Sequence, residues 1–513
     1  MSYNVNVYFI YFLPALMLAY QLTPKKFRWF TLLGGSAVFF WLISHELIVW
    51  CIAAALICWA AGLWMEHFQK KAVDRKSRKK MKKASGRVCF AAGFLIVTAL
   101  AYLKYTPFVL SNYAAITHHE ITIPKLIAPI GISFYSLQAI SYLLDVHWGR
   151  IKAEHNPLKV MLYLMFFATV MEGPMGRWED EADTLFAGNP ITGLSITTGG
   201  VRILWGLFKR MVISDRMNTL VNELFSVHAE YTGMMVIFSA VVVTVQLYLE
   251  FSGTIDIVIG SAQLFGVKLP ENFRQPFLAR NAAEFWRRWH ISLGTWFKNY
   301  IFFPVSTSKL MKKWGRFGRK HCGKYLTNVV TSAIALLPVW LLNGLWHGGE
   351  WPYIMYGVYY FVILLLEVML KPVQDKLLEK LHWSENAAGF VWFCRVRTWI
   401  IICLGETLFR CSTLAQFGRM MKELFTTPFI SGFLANVMDL NLDLGDYIVI
   451  LAGIIIVAIV DLRMEKDPDL LTNVPQLSTP RRWAIYYSLI IAIALLGAYG
   501  AGYDPVDLIY AGF

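Results

Sequence analysis

The sequence predicts an all-α, polytopic membrane protein, and three observations carry that prediction. Hydrophobic residues fill 57% of the 513 positions and charged residues only 16%, against roughly 25% charged in ordinary globular chains. Apolar runs near the length a helix needs to cross the hydrocarbon layer, about 20 residues, recur along the chain. Lys and Arg gather in short clusters between those runs, the pattern of membrane loops rather than of a basic face for nucleic acid. The net charge of +14 therefore reports topology, and nucleic acid is not an expected partner.

In chain order, the expected spans cover residues 5–21, 29–43, 47–65, 88–105, 156–171, 232–250, 326–346, 351–370, 390–409, 447–461 and 483–500. The stretches 126–145, 194–213 and 253–266 are apolar but short or Gly-interrupted, and read as re-entrant or partly buried helices. Val5 to Tyr20 has no basic region before it and no small-residue cleavage pattern after it, so it reads as a retained span. The seven cysteines show no CxxC spacing, and most read as small apolar residues within spans. The whole chain, 1–513, reads as one membrane-embedded domain with N-terminal spans over 1–125, a core over 126–350 and C-terminal spans over 351–513.

Basic residues in short loops are retained on the cytoplasmic side. Lys25, Lys26 and Arg28 follow the first span, Ser44-His45-Glu46 follows the second, and the Lys- and Arg-rich loop from Lys70 to Arg87 follows the third. An N-terminus outside satisfies all three loops and puts His118-His119-Glu120 outside too. Adjacent loop histidines seldom ligate one ion without further partners, so no metal is expected there. The second basic stretch, Lys309 to Lys324, is cytoplasmic by the same rule; both basic stretches read first as topology signals, with an acidic carrier or anionic membrane lipid as the alternative reading.

Ionisable groups inside spans are costly and therefore functional candidates. One cluster runs from Glu284 to Trp296. Asn281, three residues ahead of Glu284, reads as a helix N-cap with its reciprocal acid, and on that helix Trp286, His290 and Gly294 fall on one face at i, i+4, i+8. A second cluster, Asn343-Gly344-Leu345-Trp346-His347-Gly348-Gly349, ends an apolar helix, with the glycines as its stop. The final helical carbonyls are partly negative and favour a cation at His347, while Asn343, one turn back, is placed to hold a ring nitrogen. A third cluster sets Glu250, Ser252 and Asp256 in an apolar stretch, either lining a hydrophilic path or pairing with buried Arg. Arg177, after Gly173-Pro174-Met175-Gly176, is expected to pair internally.

At these residues the chain resembles the membrane-bound O-acyltransferases, in the bacterial branch that holds alginate O-acetylase and the teichoic-acid D-alanyl transfer protein. The resemblance rests on Pro129-Ile130-Gly131-Ile132-Ser133-Phe134-Tyr135, Gly173-Pro174, Gly206-Leu207-Phe208-Lys209, Phe251-Ser252-Gly253, Asn272-Phe273, Phe285 to Leu293 and Leu345-Trp346-His347-Gly348. It implies a bundle of about 11–14 transmembrane or re-entrant helices around a central funnel and tunnel. It also implies that His347 is catalytic, with His290 as its companion; Asn343, Trp286, Trp346, Glu250, Ser252 and Asp256, from the clusters above, read as lining the substrate tunnel beside them. The donor is then acetyl-CoA or another acyl thioester, with no bound cofactor. The acceptor is a cell-surface polysaccharide, the partner an extracytoplasmic acyltransferase or single-span protein, and the location the bacterial inner membrane. D-alanyl transfer from a carrier-protein thioester is the neighbouring alternative, and an acyl-carrier flippase the alternative from another class. The chain departs from the family at Glu250, where aspartate is usual, at Thr254-Ile255, where Tyr-Ser is usual, and at Met171-Glu172, where smaller or apolar residues are usual.

Overall fold

The computed structural model describes residues 7–71, 74–226, 233–427, 430 and 432–499. Residues 5, 6, 232 and 500, at the ends of three expected spans, lie outside the described residues. Among those described, the backbone is helical with one isolated antiparallel bridge, Phe273 to Trp289. Hydrocarbon offers no hydrogen bonds, so a spanning backbone has to satisfy its own, and a helix does this within one segment.

The N-terminal helices are α1 (Leu13–Leu22), α2 (Arg28–Ser44), α3 (Ile48–Lys70) and α4 (Arg75–Thr117). The basic segment expected to be a loop after the third span is instead the first turns of α4. Asp74 starts it: its Oδ1 accepts the Ser77 N–H at 2.8 Å while Ser77 Oγ accepts the Asp74 N–H at 3.0 Å. His118 ends α4 in the left-handed conformation, φ 55°.

The central group comprises α5 (Ile132–Trp148), α6 (Pro157–Met165), α7 (Trp178–Leu185), α8 (Gly193–Leu207), α9 (Asp215–Leu224) and α10 (Gly233–Leu264). Residues 156–171 do not span: α6 is 9 residues long, Phe166 turns extended at ψ 121°, and the chain runs on as buried irregular backbone. Pro174 cannot resume the helix and holds Gly173 extended-prone. Conversely, 232–250 and 253–266 are not two elements, since α10 is one continuous helix of 32 residues. Glycines permit this helix to lie against α8. A Cβ on Gly206 would meet the Gly253 carbonyl at 2.5 Å, and one on Gly260 the Gly199 carbonyl at 2.6 Å, so the backbones touch along two heptad-spaced pairs.

The remaining helices are α11 (Ala282–Arg288), α12 (Ile291–Phe297), α13 (Phe303–Ser306), α14 (Lys309–His321), α15 (Gly323–His347), α16 (Trp351–Lys380), α17 (Ala388–Arg410), α18 (Leu414–Thr426), α19 (Phe433–Met438), α20 (Leu444–Met464) and α21 (Thr479–Leu496). Seven helical stretches among the described residues are long and apolar enough to cross a membrane. Outward side chains such as Phe90, Ile400 and Leu451 are apolar and exposed, as a lipid-facing surface requires. The polar side chains are packed inside, on α5, α8, α10 and the turn between α11 and α12.

Candidate active site

The Glu284 to Trp296 stretch is two short helices. Asn281 Oδ1 accepts the Glu284 N–H at 2.7 Å, so the N-cap is present, but Glu284 Oε2 accepts the Arg280 N–H and not that of Asn281. The helix then stops at Arg288. Trp289 is extended and bridges to Phe273, and His290 takes φ 47° as the N-cap of α12. Trp286, His290 and Gly294 therefore do not share a helical face. The break turns Trp286 into a box of Trp340, Tyr360 and Tyr356, at ring separations of 4.8, 4.8 and 6.2 Å. A left-handed non-glycine residue costs energy and is held by its surroundings.

Asn272 is what holds it. Its carbonyl accepts the Ile291 N–H at 3.0 Å, and its side-chain Oδ1 accepts the N–H and hydroxyl of Ser292 at 3.0 and 2.8 Å. The Ser292 backbone N–H can only donate, which identifies that side-chain atom as oxygen. His290 Nδ1 lies 3.2 Å from the same oxygen and must then carry the proton, leaving Nε2 with its lone pair. Nε2 is buried and has no hydrogen-bond partner among the described residues. The ring lies edge-on to Phe251 and Trp346, at 4.8 and 5.5 Å.

His347 is the last residue of α15, which stops at Gly348 as the glycine pair predicts. Its ring lies 4.8 Å from Trp346, 4.9 Å from Phe409 and 5.9 Å from Tyr356. The Trp346 indole thus touches both imidazoles, and two residues 57 positions apart meet at one ring. The carbonyls expected to act on His347 have other partners. Tyr105 donates to the Leu345 carbonyl at 2.7 Å, and Lys104 donates to the Trp346 carbonyl at 2.5 Å and to Ser133 at 3.1 Å. The helix terminus is capped by α4. Asn343 is buried one turn back, but its Oδ1 has no partner among the described residues, so it does not hold the ring. Glu406 on α17 accepts the Tyr356 hydroxyl at 3.1 Å and that of Tyr360 at 3.5 Å. Sequence reading missed Glu406, Tyr356, Phe409 and Lys104, although a carboxylate in an apolar span was the available signal for Glu406. Beyond Gly348 a cavity of about 390 Å³ opens among Gly349, Trp351, Asn112 and Thr413.

Glu250 and Asp256 project from α10 into ion pairs and Ser252 into a hydrogen bond with Lys209, flanking the Phe251 that touches His290. Asp256 meets Arg202 at 2.5 Å and Lys209 at 2.6 Å, Ser252 accepts from Lys209 at 2.8 Å, and Glu250 accepts from Gln246 at 2.8 Å and faces Arg210 at 3.9 Å. The family departures gather here: Arg210 reaches both Glu250 and Thr254, and Glu172 is within electrostatic range of Glu250. Arg177 pairs with Glu179 and Asp180, the internal pairing expected of it. Outside the spans, Arg288 donates to Glu465 at 2.7 and 2.9 Å, and these hydrogen bonds hold the Glu465 carboxyl below the usual glutamate range.

Fold and site together define a multi-pass helical membrane protein with a buried histidine pair. Residues 150–317 match the model of MBOAT, membrane-bound O-acyltransferase family. The chain is 28% identical over 432 residues to the probable alginate O-acetylase AlgI of Pseudomonas aeruginosa, covering 83% of this chain and 75% of that one. It is 28% identical over 299 residues to the peptidoglycan O-acetyltransferase of Helicobacter pylori, covering 52% and 53%. It is 27% identical over 301 residues to the teichoic acid D-alanyltransferase of Bacillus subtilis, covering 56% and 69%. These findings bear out the family resemblance read from the motifs, and O-acyl transfer is the enzyme class they give the chain.

Proposed function

We propose that this protein takes an acetyl group from a cytoplasmic thioester, acetyl-CoA or another acyl thioester, and delivers it across the inner membrane for O-acetylation of a cell-surface polysaccharide. The observation that carries this reading is the meeting of His290 and His347 at the Trp346 indole, with the His290 proton fixed on Nδ1 by Asn272. His347 takes the proton of the acceptor hydroxyl as its oxygen attacks the thioester carbonyl. The C–S bond breaks, the ester forms, and the proton passes to the departing thiolate. His290 Nε2 shares that proton, Asn343 and Trp346 bound the space around it, and Trp286 backs that space from behind Tyr356. Ser252 Oγ and the carboxylates of Glu250 and Asp256 serve the donor side through the Lys209 and Arg210 pairs. A single-span or extracytoplasmic partner presents the polymer. Proton transfer of this kind contributes typically about 10²–10⁴ in rate.

The test is labelled-acetyl transfer in proteoliposomes supplied with acetyl-CoA on one side. Wild type is expected to carry label to the far side, and His347→Ala to lose that transfer while keeping its melting profile. Equal transfer by both would overturn the assignment and favour passage of an intact carrier. The similarity to a D-alanyltransferase favours one second reading, D-alanyl transfer; activity with a carrier-protein thioester and none with acetyl-CoA would select it.

A further inference from the structure

We propose that the groove between α10, α17, α18 and α20 binds a phospholipid with a phosphoethanolamine head. The groove encloses about 1010 Å³, at the top of the roughly 300–1,000 Å³ range of small-molecule pockets. Its walls are apolar, including Ala240, Leu249, Leu404, Ile454 and Val457. Along α10 the lining runs from Val236 to Leu249, about 20 Å at a rise of 1.5 Å per residue, which suits a fatty acyl chain. Val241 and Ile400 on its lips are exposed, so it opens sideways, where lipid is the solvent.

One end of the groove is polar. Arg395 on α17 lies there, bonded to the Leu278 carbonyl at 3.3 Å and seated over Trp392, with no carboxylate within ion-pair distance among the described residues. Asp461 on α20 accepts the Tyr248 hydroxyl at 2.8 Å. Gln275, 7% exposed and in the left-handed conformation at φ 41°, has an Oε1 without a partner among the described residues. Tyr248, Gln275 and Asp461 also wall the small cavity that holds Lys209 and Asp256, so the apolar groove ends at that polar wall.

A guanidinium, a carboxylate and an open acceptor beside an apolar channel complement a head with one phosphate and one N–H-bearing ammonium. The phosphate meets Arg395, and the ammonium meets Asp461 and Gln275 Oε1. A phosphoglycerol head brings no cation to Asp461, and a phosphocholine head brings no N–H to Gln275.

The experiment is native mass spectrometry of the full-length, delipidated protein given equal dioleoyl-phosphatidylethanolamine, -phosphatidylglycerol and -phosphatidylcholine. One phosphatidylethanolamine is expected to be retained about tenfold over either competitor. Arg395→Gln and Asp461→Asn should each remove that preference, and Val241→Trp, which fills the groove from its exposed lip, should lower retention of all three. Equal retention of the lipids, preference for phosphatidylglycerol, or retention unchanged by Val241→Trp would overturn the proposal. So would a dimer mass that Val241→Trp abolishes, because the groove would then belong to a second copy.

Discussion

Asn272 does more at the site than its neutral side chain suggests. One oxygen accepts from Ser292 twice and from His290, and so sets both the break between α11 and α12 and the tautomer of the imidazole. Replacing Asn272 with Ala is expected to cut transfer about 10- to 100-fold, the scale seen when a metal-bound histidine loses the partner that orients its ring. The loss should appear in kcat more than in the KM for acetyl-CoA, because the donor's own contacts are untouched. Asn272→Asp keeps an acceptor for both Ser292 and His290 and should recover part of the rate. At the same scale, Glu465 gives a pH dependence with a definite sign. Its carboxyl is held low in the folded protein by Arg288, so its stabilisation is full above the unfolded glutamate pKa of about 4.3 and fades as pH falls through the folded value. Melting temperatures taken from about pH 5 down to about pH 2 should fall less steeply for Glu465→Gln than for wild type, with little difference in slope above about pH 5. The pair is partly exposed and its contribution is correspondingly modest.

Between elements, the α8–α10 crossing is the contact least able to accept change. Backbone carbonyls stand where a Cβ on Gly206 or Gly260 would go, and carbonyls, unlike side chains, cannot rotate away. Gly206→Ala and Gly260→Ala are each expected to cost about 1–3 kcal/mol through forced separation of the helices. Thermal unfolding in detergent would show it as a lowered midpoint, whereas Gly193→Ala, with open space around its Cβ, should melt like wild type. The Gly206 change should also lower transfer, because α10 carries Phe251 against His290. Helix lengths and stops were legible from sequence at α15, where the apolar run and Gly348 bracket it. They were not legible at 156–171, where a run of the right length and composition is buried irregular backbone. Hydropathy reports that a segment avoids water, and a protein interior satisfies that as well as lipid does.

For the whole molecule, α15 links two ends that should face opposite sides of the membrane. It runs 25 residues from Gly323, beside the basic helix α14, to His347, about 37 Å and therefore longer than the hydrocarbon layer. The cavity with Trp351 and Thr413 lies at the His347 end. With α14 cytoplasmic, a cysteine placed at Arg316 should react with impermeant maleimide only in inverted vesicles, and one at Ser412 only in right-side-out cells. Reaction of both from one side would sink the proposed orientation, N-terminus outside included.

By itself the sequence determined the class of fold, because the proportion of apolar residues leaves lipid as the solvent for so many of them. It also supplied the two histidines, since an ionisable group in an apolar run is costly wherever the chain places it. Only the tertiary structure decided that the two meet across the Trp346 ring, that Trp286 turns away from His290, and that Lys104 and Tyr105 cap the end of α15. It likewise decided that Glu250 and Thr254 both meet Arg210, with Glu172 from a distant part of the chain in electrostatic range of Glu250. These are contacts between residues tens to hundreds of positions apart. Local periodicity and composition carry no record of such separations, because helix packing sets them, through glycine seams and buried ion pairs that take shape only when whole helices come together.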